Sequence, residues 1–236
     1  MSRPLKLSII IPAYNEEGSI ANIVHRIKNI KFPIEYEIII VNDGSTDGTY
    51  NIVKKLSRDG KKRIKIISNR VRQGKGTSIR LGLKLAKGDI VVIQDADLEY
   101  DPKEIPRLLK PILDGKADVV FGSRFLNRHW PENMAFANYL VNRMLTLTAN
   151  LLYKMKITDE ATGYKLFRTK TIRSMRLKCK RFEFCPEVTA KAGRMKVKIV
   201  ELPISYHGRT NAEGKKINWK DAIEAFWTLL KYRIIK

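Results

Sequence analysis

The chain has 236 residues, of which 44% are hydrophobic and 30% are charged, and its 46 lysines and arginines outweigh 24 acidic residues to give a formal net charge of +22. These proportions are typical of a globular protein with a sizeable core, and they exclude extended disorder. The excess of positive charge indicates an anionic partner, and nucleic acid, anionic lipid head groups and phosphorylated substrates all fit it.

Cysteine content and hydropathy indicate the redox compartment and the kind of membrane contact to expect. Cys179 and Cys185 are too few for a disulfide framework, and no second pair or nearby histidine gives them the spacing of a zinc site. We expect ordinary thiols in a reducing compartment. The pattern at the amino terminus predicts a strand rather than a signal segment, and no stretch of this sequence approaches the roughly 20 apolar residues that a membrane-spanning helix needs. We therefore expect any membrane contact to be peripheral.

Strands and helices alternate in the first half of the chain. Short apolar runs predict strands at 5–11, 36–41, 64–68 and 90–94, and helical patterns predict helices at 12–30, 49–58 and 74–87. Such alternation predicts a parallel sheet with right-handed crossovers.

The second half has the same elements in a less regular order. We predict helices at 101–113, 133–154, 186–194 and 219–235, and strands at 117–123, 164–168 and 197–203. The long helix carries an apolar stripe of Met134, Leu140, Met144, Leu147 and Leu151. Such a stripe is usually core, and the alternative is a surface that rests on lipid or on a second subunit. The last helix is basic and amphipathic, which suits either a membrane interface or packing on the domain.

Two carboxylates follow the fourth predicted strand. Asp95 and Asp97 lie one residue apart at the end of the apolar run, with Glu99 beyond them. In an open α/β sheet the strand ends border the crevice where ligands bind. Carboxylate oxygens there suit a magnesium or manganese ion that also grips a diphosphate. The alternative is a solvated acidic loop.

Several motifs along the chain carry a family resemblance. They are PAYNEE at 12–17, VNDGSTDGT at 41–49, DAD at 95–97, GSR at 122–124, DEATG at 159–163 and RTNAEGK at 209–215. In this order and spacing they resemble the family 2 glycosyltransferases of GT-A fold. Within that family the chain is similar to the polyprenyl-phosphate sugar synthases, which include the dolichyl-phosphate mannose and glucose synthases.

The resemblance implies a fold, and it assigns donor binding and acceptor binding to different halves of the chain. It implies one α/β glycosyltransferase domain over 1–236, with a mostly parallel central sheet flanked by helices and the basic amphipathic helix at its carboxyl end. Residues 1–124 would bind the nucleotide sugar, and residues 125–236 would bind the acceptor.

Donor binding would fall to residues of the first two motifs. Pro12 and Tyr14 would flank the base of the nucleotide sugar, with Glu16 and Asp43 hydrogen-bonding base or ribose. The alternative for Asp43 is turn or helix capping. Asn42 stands where many relatives have aspartate, which leaves the base specificity open.

The diphosphate would be held by the DAD motif with a metal ion. Asp95, Asp97 and Glu99 would ligate Mg²⁺ or Mn²⁺, with Ala96 in the donor-binding turn, and the ion would stabilise the departing nucleotide. Lys75 lies in a glycine-flanked stretch near a helix start, where glycines let backbone approach an anion, and could steady ribose or phosphate. An ordinary solvated lysine is the alternative.

The acceptor decides the mechanism. A sugar hydroxyl needs a carboxylate base, whereas a phosphate monoester is already anionic at neutral pH and needs a cationic cradle. Arg124, Arg209 and Lys215 are the candidates for that cradle, and Arg143 is a weaker one. Asp159 lies where other family 2 enzymes place their base, and we interpret it as a residue that orients the acceptor region.

We therefore predict an inverting, metal-dependent hexosyltransferase. The donor would be GDP-mannose or UDP-glucose, and the acceptor a polyprenyl or dolichyl phosphate. It would act at the cytoplasmic face of a membrane with anionic lipid. A membrane-anchored partner protein and a homodimer both stay open. The alternative is a family 2 enzyme that glycosylates a sugar hydroxyl. A nucleic-acid-binding protein is disfavoured, because the basic residues are spread over the whole length.

Overall fold

A seven-stranded sheet lies at the centre of the protein, in a computed structural model that describes residues 3–59, 63–126, 131, 133–208 and 219–235. The strands are β1 Lys6–Ala13, β2 Glu35–Asp43, β3 Ile64–Asn69, β4 Ile90–Ile93, β5 Val119–Ser123, β6 Lys165–Arg168 and β7 Ile199–Pro203. The helices are α1 Ile20–Lys28, α2 Thr49–Asp59, α3 Lys75–Leu85, α4 Ile105–Leu113, α5 Phe136–Tyr153, α6 Thr169–Ser174, α7 Phe184–Arg194 and α8 Trp219–Ile234, and a 3₁₀ turn at Pro102–Glu104 precedes α4.

The strand order is β3-β2-β1-β4-β6-β5-β7. Strands β1 to β4 pair in parallel, which confirms the alternation predicted for the first half. Strand β6 is antiparallel to both of its neighbours, β4 and β5, so β5 and β7 again run in the direction of β1. The sheet is therefore mixed, with one reversed strand near its middle.

Two apolar layers cover the two faces of the sheet. One core contains side chains of α1, α2 and α4, and the other contains side chains of α3, α5, α7 and α8. The inner strands are buried on both faces, as four consecutive buried residues in β4 illustrate. Continuous apolar strands of this kind require helices on both sides.

Three local predictions differ from the structure. Helix α1 begins at Ile20 rather than at residue 12, because β1 continues to Ala13 and residues 14–19 form a loop that bonds to the 45–49 segment. Helix α6 was not anticipated, since its six residues are too few to show a period. The apolar stripe was expected to be core, but Leu140, Met144, Leu147 and Leu151 are exposed on α5, and only Met134, which precedes the helix, is buried.

None of the helices within the described ranges is long and apolar enough to span a membrane.

Candidate active site

The candidate site lies at one edge of the sheet. Strands β1, β2, β4 and β5 end at this edge because they run in the same direction. Strand β6 runs the other way, so the residues that precede it, 159–163, arrive at the same edge. The PAYNEE, VNDGSTDGT and DAD motifs thus meet the DEATG motif, although more than 100 residues separate the first from the last.

The first two motifs are bonded to each other. The Asn15 backbone N–H donates to the Ser45 hydroxyl at 3.0 Å, and the Thr46 N–H donates to the Asn15 side chain at 2.9 Å. The Glu17 carboxylate accepts from the Gly48 N–H at 2.6 Å, at the start of α2. These bonds fix the loop that follows β1, so that half-buried Pro12 at the end of the strand and half-buried Tyr14 and Glu16 in the loop lie side by side along the chain.

Tyr14 already has a cationic neighbour in the structure. The guanidinium of Arg72 lies 4.3 Å from the centroid of the Tyr14 ring. Glu16 accepts a hydrogen bond from the Ser19 hydroxyl at 2.7 Å. Both side chains border the end of β1, where the resemblance places the base of the donor.

Asp43 organises the loop after β3. Its carboxylate accepts from the Asn69 side chain at 2.8 Å and from the backbone N–H groups of Gln73 and Gly74 at 2.9 and 2.7 Å. The side chain is 3% exposed. Asp43 therefore makes the capping-type contacts that were its alternative interpretation. Neighbouring Asn42 is also buried.

The glycines around Lys75 serve a different purpose from the one expected. A Cβ on Gly74 would lie 2.4 Å from the Lys180 carbonyl oxygen, and the backbone of Gly74 has a φ of +98°. The Gly76 and Thr77 N–H groups donate to the Arg181 and Lys180 carbonyls, both at 3.0 Å. Glycine here lets the 180–181 segment, rather than an anion, approach the start of α3.

Lys75 itself points into the site. Its ammonium lies 2.6 Å from Oδ1 and 2.8 Å from Oδ2 of Asp95. Burial alone would lower the pKa of Lys75, but the Asp95 carboxylate outweighs burial and raises it above its ordinary value, so the group stays cationic. A Cβ on Gly163 would lie 2.8 Å from Asp95 Oδ2, so the DEATG loop packs directly on this pair.

The turn after β4 carries the other two acids. The Glu99 N–H donates to the Asp97 carboxylate at 3.2 Å, and Leu98 between them has a φ of +65°. The buried Gln94 side chain donates to the carbonyls of Asp95 and Tyr100 and so holds the turn from below. Buried Ala96 packs in the core beneath it.

Asp95, Asp97 and Glu99 do not by themselves form a complete metal-binding site. Within the ranges that the structure describes, no three His, Cys, Asp or Glu side chains lie close enough to hold an ion. A magnesium ion is commonly bound through one or two carboxylates together with substrate phosphates. Asp95 and Asp97 suit that kind of shared site, in which the donor would supply the remaining oxygen ligands.

Arg124 and Asp159 form a buried bidentate ion pair. Arg124 Nε and Nη2 donate to the two carboxylate oxygens at 2.7 and 2.8 Å, and the Arg124 N–H adds a third bond at 3.0 Å. Burial alone would lower the pKa of Arg124, but Asp159 outweighs it and raises that pKa. Arg124 is thus engaged with Asp159 rather than open to an acceptor phosphate.

Three tyrosines link the surroundings of the Lys75–Asp95 ion pair to those of the Arg124–Asp159 ion pair. The sequence analysis did not identify these tyrosines. Tyr100 stacks on Tyr164 with ring centroids 5.2 Å apart and lies 5.6 Å from the ring of Tyr206. The Gly163 N–H donates to the Tyr100 hydroxyl at 3.2 Å, and burial raises the pKa of that hydroxyl. Arg124 lies over the Tyr206 ring at 5.1 Å. Only Tyr100 had a sequence signal, as the aromatic residue that ends the acidic turn.

The remaining acceptor candidates divide into two groups. Exposed Arg143 contacts the Phe125 ring and the Thr158 carbonyl near the site. Arg209 and Lys215 lie outside the described residues. The chain that leads to them passes the acidic turn, since the His207 N–H donates to the Glu99 carbonyl at 3.1 Å.

Comparison with known proteins identifies the family. A family model described as glycosyl transferase family 2 matches residues 8–176. The chain belongs to this family. It is 31% identical to the UDP-N-acetylglucosamine–dolichyl-phosphate N-acetylglucosaminyltransferase of Methanococcus voltae, over 97% of the chain and 96% of that protein. It is 32% identical to the dolichol-phosphate mannosyltransferase of Pyrococcus furiosus, over 89% of the chain but only 59% of that protein's length.

Solved structures with lower sequence identity have the same fold as this chain. Glucosyl-3-phosphoglycerate synthase from Mycobacterium tuberculosis, in complex with Mn²⁺, UDP and glucosyl-3-phosphoglycerate, superposes with a TM-score of 0.74 at 19% identity. The match covers 98% of the chain and 81% of that structure. The same synthase has also been crystallised with Mg²⁺ and UDP. The fold is therefore the GT-A glycosyltransferase fold predicted from the motifs.

Proposed function

We propose that this glycosyltransferase moves a hexose from a nucleotide sugar to a polyprenyl phosphate, in a metal-dependent reaction that inverts the anomeric carbon. We base the choice of acceptor on one observation, the ion pair that Asp159 makes with Arg124. Both of its oxygens are bonded to Arg124, and the residue is 0% exposed. A carboxylate held in this way is poorly placed to deprotonate a hydroxyl, whereas a phosphate acceptor needs no base.

The relatives support the same choice. Two curated relatives that match most of the chain carry dolichol phosphate or dolichyl phosphate in their names. Their donors differ by name, one a mannose and the other an N-acetylglucosamine donor. We therefore keep GDP-mannose and UDP-glucose as candidate donors and add UDP-N-acetylglucosamine.

The chemistry is a single displacement. An oxygen of the acceptor phosphate forms a bond to the anomeric carbon, while the bond from that carbon to the donor's phosphate oxygen breaks. The electron pair leaves with the nucleoside diphosphate. Attack from the side opposite the leaving group inverts the configuration, and the enzyme contributes by aligning the two reactants.

Residues of the chain would divide the work as follows. Asp95 and Asp97 would hold Mg²⁺ or Mn²⁺ together with the diphosphate, and Lys75 beside Asp95 would donate to a phosphate oxygen. A bound divalent cation would neutralise the charge that builds on the leaving nucleotide. Arg209 and Lys215 would bind the acceptor phosphate, while Arg124 would position the DEATG loop through Asp159.

One comparison of acceptors tests the proposal. Purified protein is incubated with each donor, Mn²⁺ or Mg²⁺, and either a short polyprenyl phosphate or the polyprenol of the same chain length. We expect a lipid-linked sugar from one of these donors, detected by mass spectrometry, from the phosphate alone. Product from the polyprenol, or from a sugar hydroxyl in place of both lipids, would instead support the hydroxyl-acceptor alternative.

A variant pair tests the cationic cradle in the same assay. Arg209→Ala should lower turnover with the polyprenyl phosphate by roughly a hundredfold, because a charge-assisted phosphate contact is lost. Arg3→Ala is the matched control, since Arg3 is an exposed arginine bonded to Asp89 at the opposite edge of the sheet. Equal turnover of the two variants would remove Arg209 from the proposed site.

A further inference from the structure

Two helices expose rows of large apolar side chains. On α5 the row consists of Phe136, Leu140, Met144, Leu147 and Leu151, and Leu151 is 72% exposed. On α8 the row consists of Trp219, Ile223, Trp227, Leu230 and Ile234, and Ile234 is 78% exposed. We call these ten residues the apolar face. Single exposed apolar residues are ordinary, but a contiguous set on a soluble protein marks an interaction site.

Each row lies on the side of its helix that faces away from the core. The buried residues of α5 include Leu145, Ala149 and Tyr153, and those of α8 include Ala225 and Leu229. With 3.6 residues per turn, these positions fall on the opposite side of each helix from the exposed row. Both helices are therefore apolar on two sides: one side packs on the core, and the side that carries the row is exposed.

The two helices are neighbours. The Tyr153 hydroxyl on α5 donates to the Leu229 carbonyl on α8 at 2.5 Å, and both helices contribute to the same core. The exposed rows thus belong to adjoining helices on one side of the sheet.

The charges near the apolar face are mainly positive. Helix α5 contains Arg143 and no acidic residue. Helix α8 carries Lys220, Lys231 and Arg233, while of its two acids Asp221 is buried and bonded to Arg181, and Glu224 is half-buried. A second copy of this chain would bring like charges together around the apolar contact. Anionic lipid head groups would instead complement them.

We propose that the apolar face lies in the interface of an anionic membrane, with the ten side chains among the lipid and the basic residues at the head groups. This docking would present the candidate site to a lipid acceptor. Tyr139, near the start of α5, contacts the Phe125 ring at 5.6 Å, and Phe125 follows Arg124 directly. The link to the acceptor rests on the proposed function, but the membrane contact itself does not.

Vesicle flotation tests the membrane contact without donor or acceptor. The full chain is mixed with vesicles of phosphatidylcholine, or with vesicles containing phosphatidylglycerol. The variants are Leu147→Gln/Leu151→Gln on α5 and Ile223→Gln/Trp227→Gln on α8. The control is Leu5→Gln/Tyr50→Gln, because these two apolar side chains are 41% and 42% exposed away from the apolar face. Self-association is followed in parallel by sedimentation velocity.

We expect the wild type and the control to float with anionic vesicles and to bind neutral ones more weakly. Each apolar-face variant should lower the partition coefficient roughly tenfold, because two large side chains no longer enter the lipid. Failure of the wild type to bind anionic vesicles would overturn the proposal. So would an equal loss in the control, or self-association that the variants abolish, which would identify the face as a contact between copies. Because no turnover is measured, these outcomes are independent of the proposed reaction.

Discussion

The ammonium of Lys75 and the carboxylate of Asp95 form a close ion pair in the part of the site where we propose that the donor binds. Both carboxylate oxygens lie within 2.8 Å of Lys75 Nζ. A cation that binds Asp95 must compete with this built-in positive charge. A nucleoside diphosphate brings negative charge that attracts both the ammonium and the metal, so metal and nucleotide should bind cooperatively.

Lys75→Met tests this competition directly. Without the ammonium, Asp95 is free, and we expect the affinity for Mn²⁺ in the absence of nucleotide to rise roughly tenfold, while the affinity for UDP or GDP falls. Electron paramagnetic resonance of free Mn²⁺ measures the first effect. Lys65→Met is the matched control, since Lys65 makes a similar 2.7 Å ion pair with Glu37 away from the site. An unchanged Mn²⁺ affinity in Lys75→Met would contradict the competition.

Gly163 provides a second test at the scale of one residue. A Cβ at this position would lie 2.8 Å from Asp95 Oδ2 and 3.5 Å from Lys75 Nζ. Gly163→Ala should therefore displace the ion pair and lower kcat/KM by roughly tenfold or more, with a smaller effect on thermal stability. Gly18→Ala serves as the control, because nothing lies within 4 Å of its added Cβ. Full activity of Gly163→Ala would show that the pair tolerates displacement.

The sequence identified most of these residues but not their partners. Asp95, Asp97 and Lys75 follow from motifs whose residue types match phosphate and metal chemistry. The pairing of Lys75 with Asp95 and of Arg124 with Asp159 depends on which loops meet at the edge of the sheet. Because Asp159 is paired with Arg124, an Asp159 variant is a poor test for a catalytic base. Removing one partner of a buried pair typically costs about 3–5 kcal/mol, so lost activity there would not by itself identify a base.

At the scale of elements, one carboxylate connects α7 to α8. Fully buried Glu187 accepts from the backbone N–H groups of Lys178 and Cys179 and from the Tyr232 hydroxyl at 2.8 Å, and it pairs with Lys191. Burial alone would raise the pKa of Glu187, but these hydrogen bonds outweigh it and hold the pKa below its ordinary value. The helix that carries half of the apolar face is thus anchored through Glu187.

Glu187→Gln should destabilise the fold. We expect a loss of about 2–4 kcal/mol, or roughly 5–10 °C in Tm, because a buried ion pair and charge-assisted bonds are weakened. Since folding lowers this pKa, the stabilisation is present above the ordinary carboxyl value of 4.5 and disappears as the pH falls through the lower folded value.

Thermal melts of both proteins between pH 7 and 3 measure this effect, with exposed Glu35→Gln as control. The difference in Tm between wild type and Glu187→Gln should shrink on acidification below the ordinary carboxyl value. A difference that stays constant over the whole range would contradict the role of the ionised carboxylate.

Strand β6 and helix α5 show why the sequence patterns predicted only part of the fold. The pattern predicted β6 but not its direction, because a four-residue apolar strand looks the same in either orientation. That direction decides that residues before β6, not after it, enter the site. Helix α5 is apolar on two sides, so its periodicity could not say which side was core. The first four strands alternate with helices along the chain, and their positions were predicted correctly.

At the scale of the whole molecule, the charge of +22 acts over distances longer than any single contact. Positive potential raises the concentration of the protein at an anionic surface, and salt weakens it because the Debye length falls from about 10 Å at 0.1 M to about 3 Å at 1 M. Apolar contacts are not weakened in this way. The two contributions to membrane encounter can therefore be separated by ionic strength.

We accordingly predict that transfer to a polyprenyl phosphate embedded in anionic vesicles slows by roughly tenfold or more between about 0.05 and 0.5 M salt. Transfer to a short-chain acceptor in free solution should slow much less, since it depends only on local phosphate contacts. Neutral vesicles provide the control, with a low rate that changes little with salt. The measurement is the initial rate of lipid-linked product formation. Equal salt dependence for vesicle-bound and soluble acceptors would show that the charge acts at the acceptor phosphate rather than at the membrane.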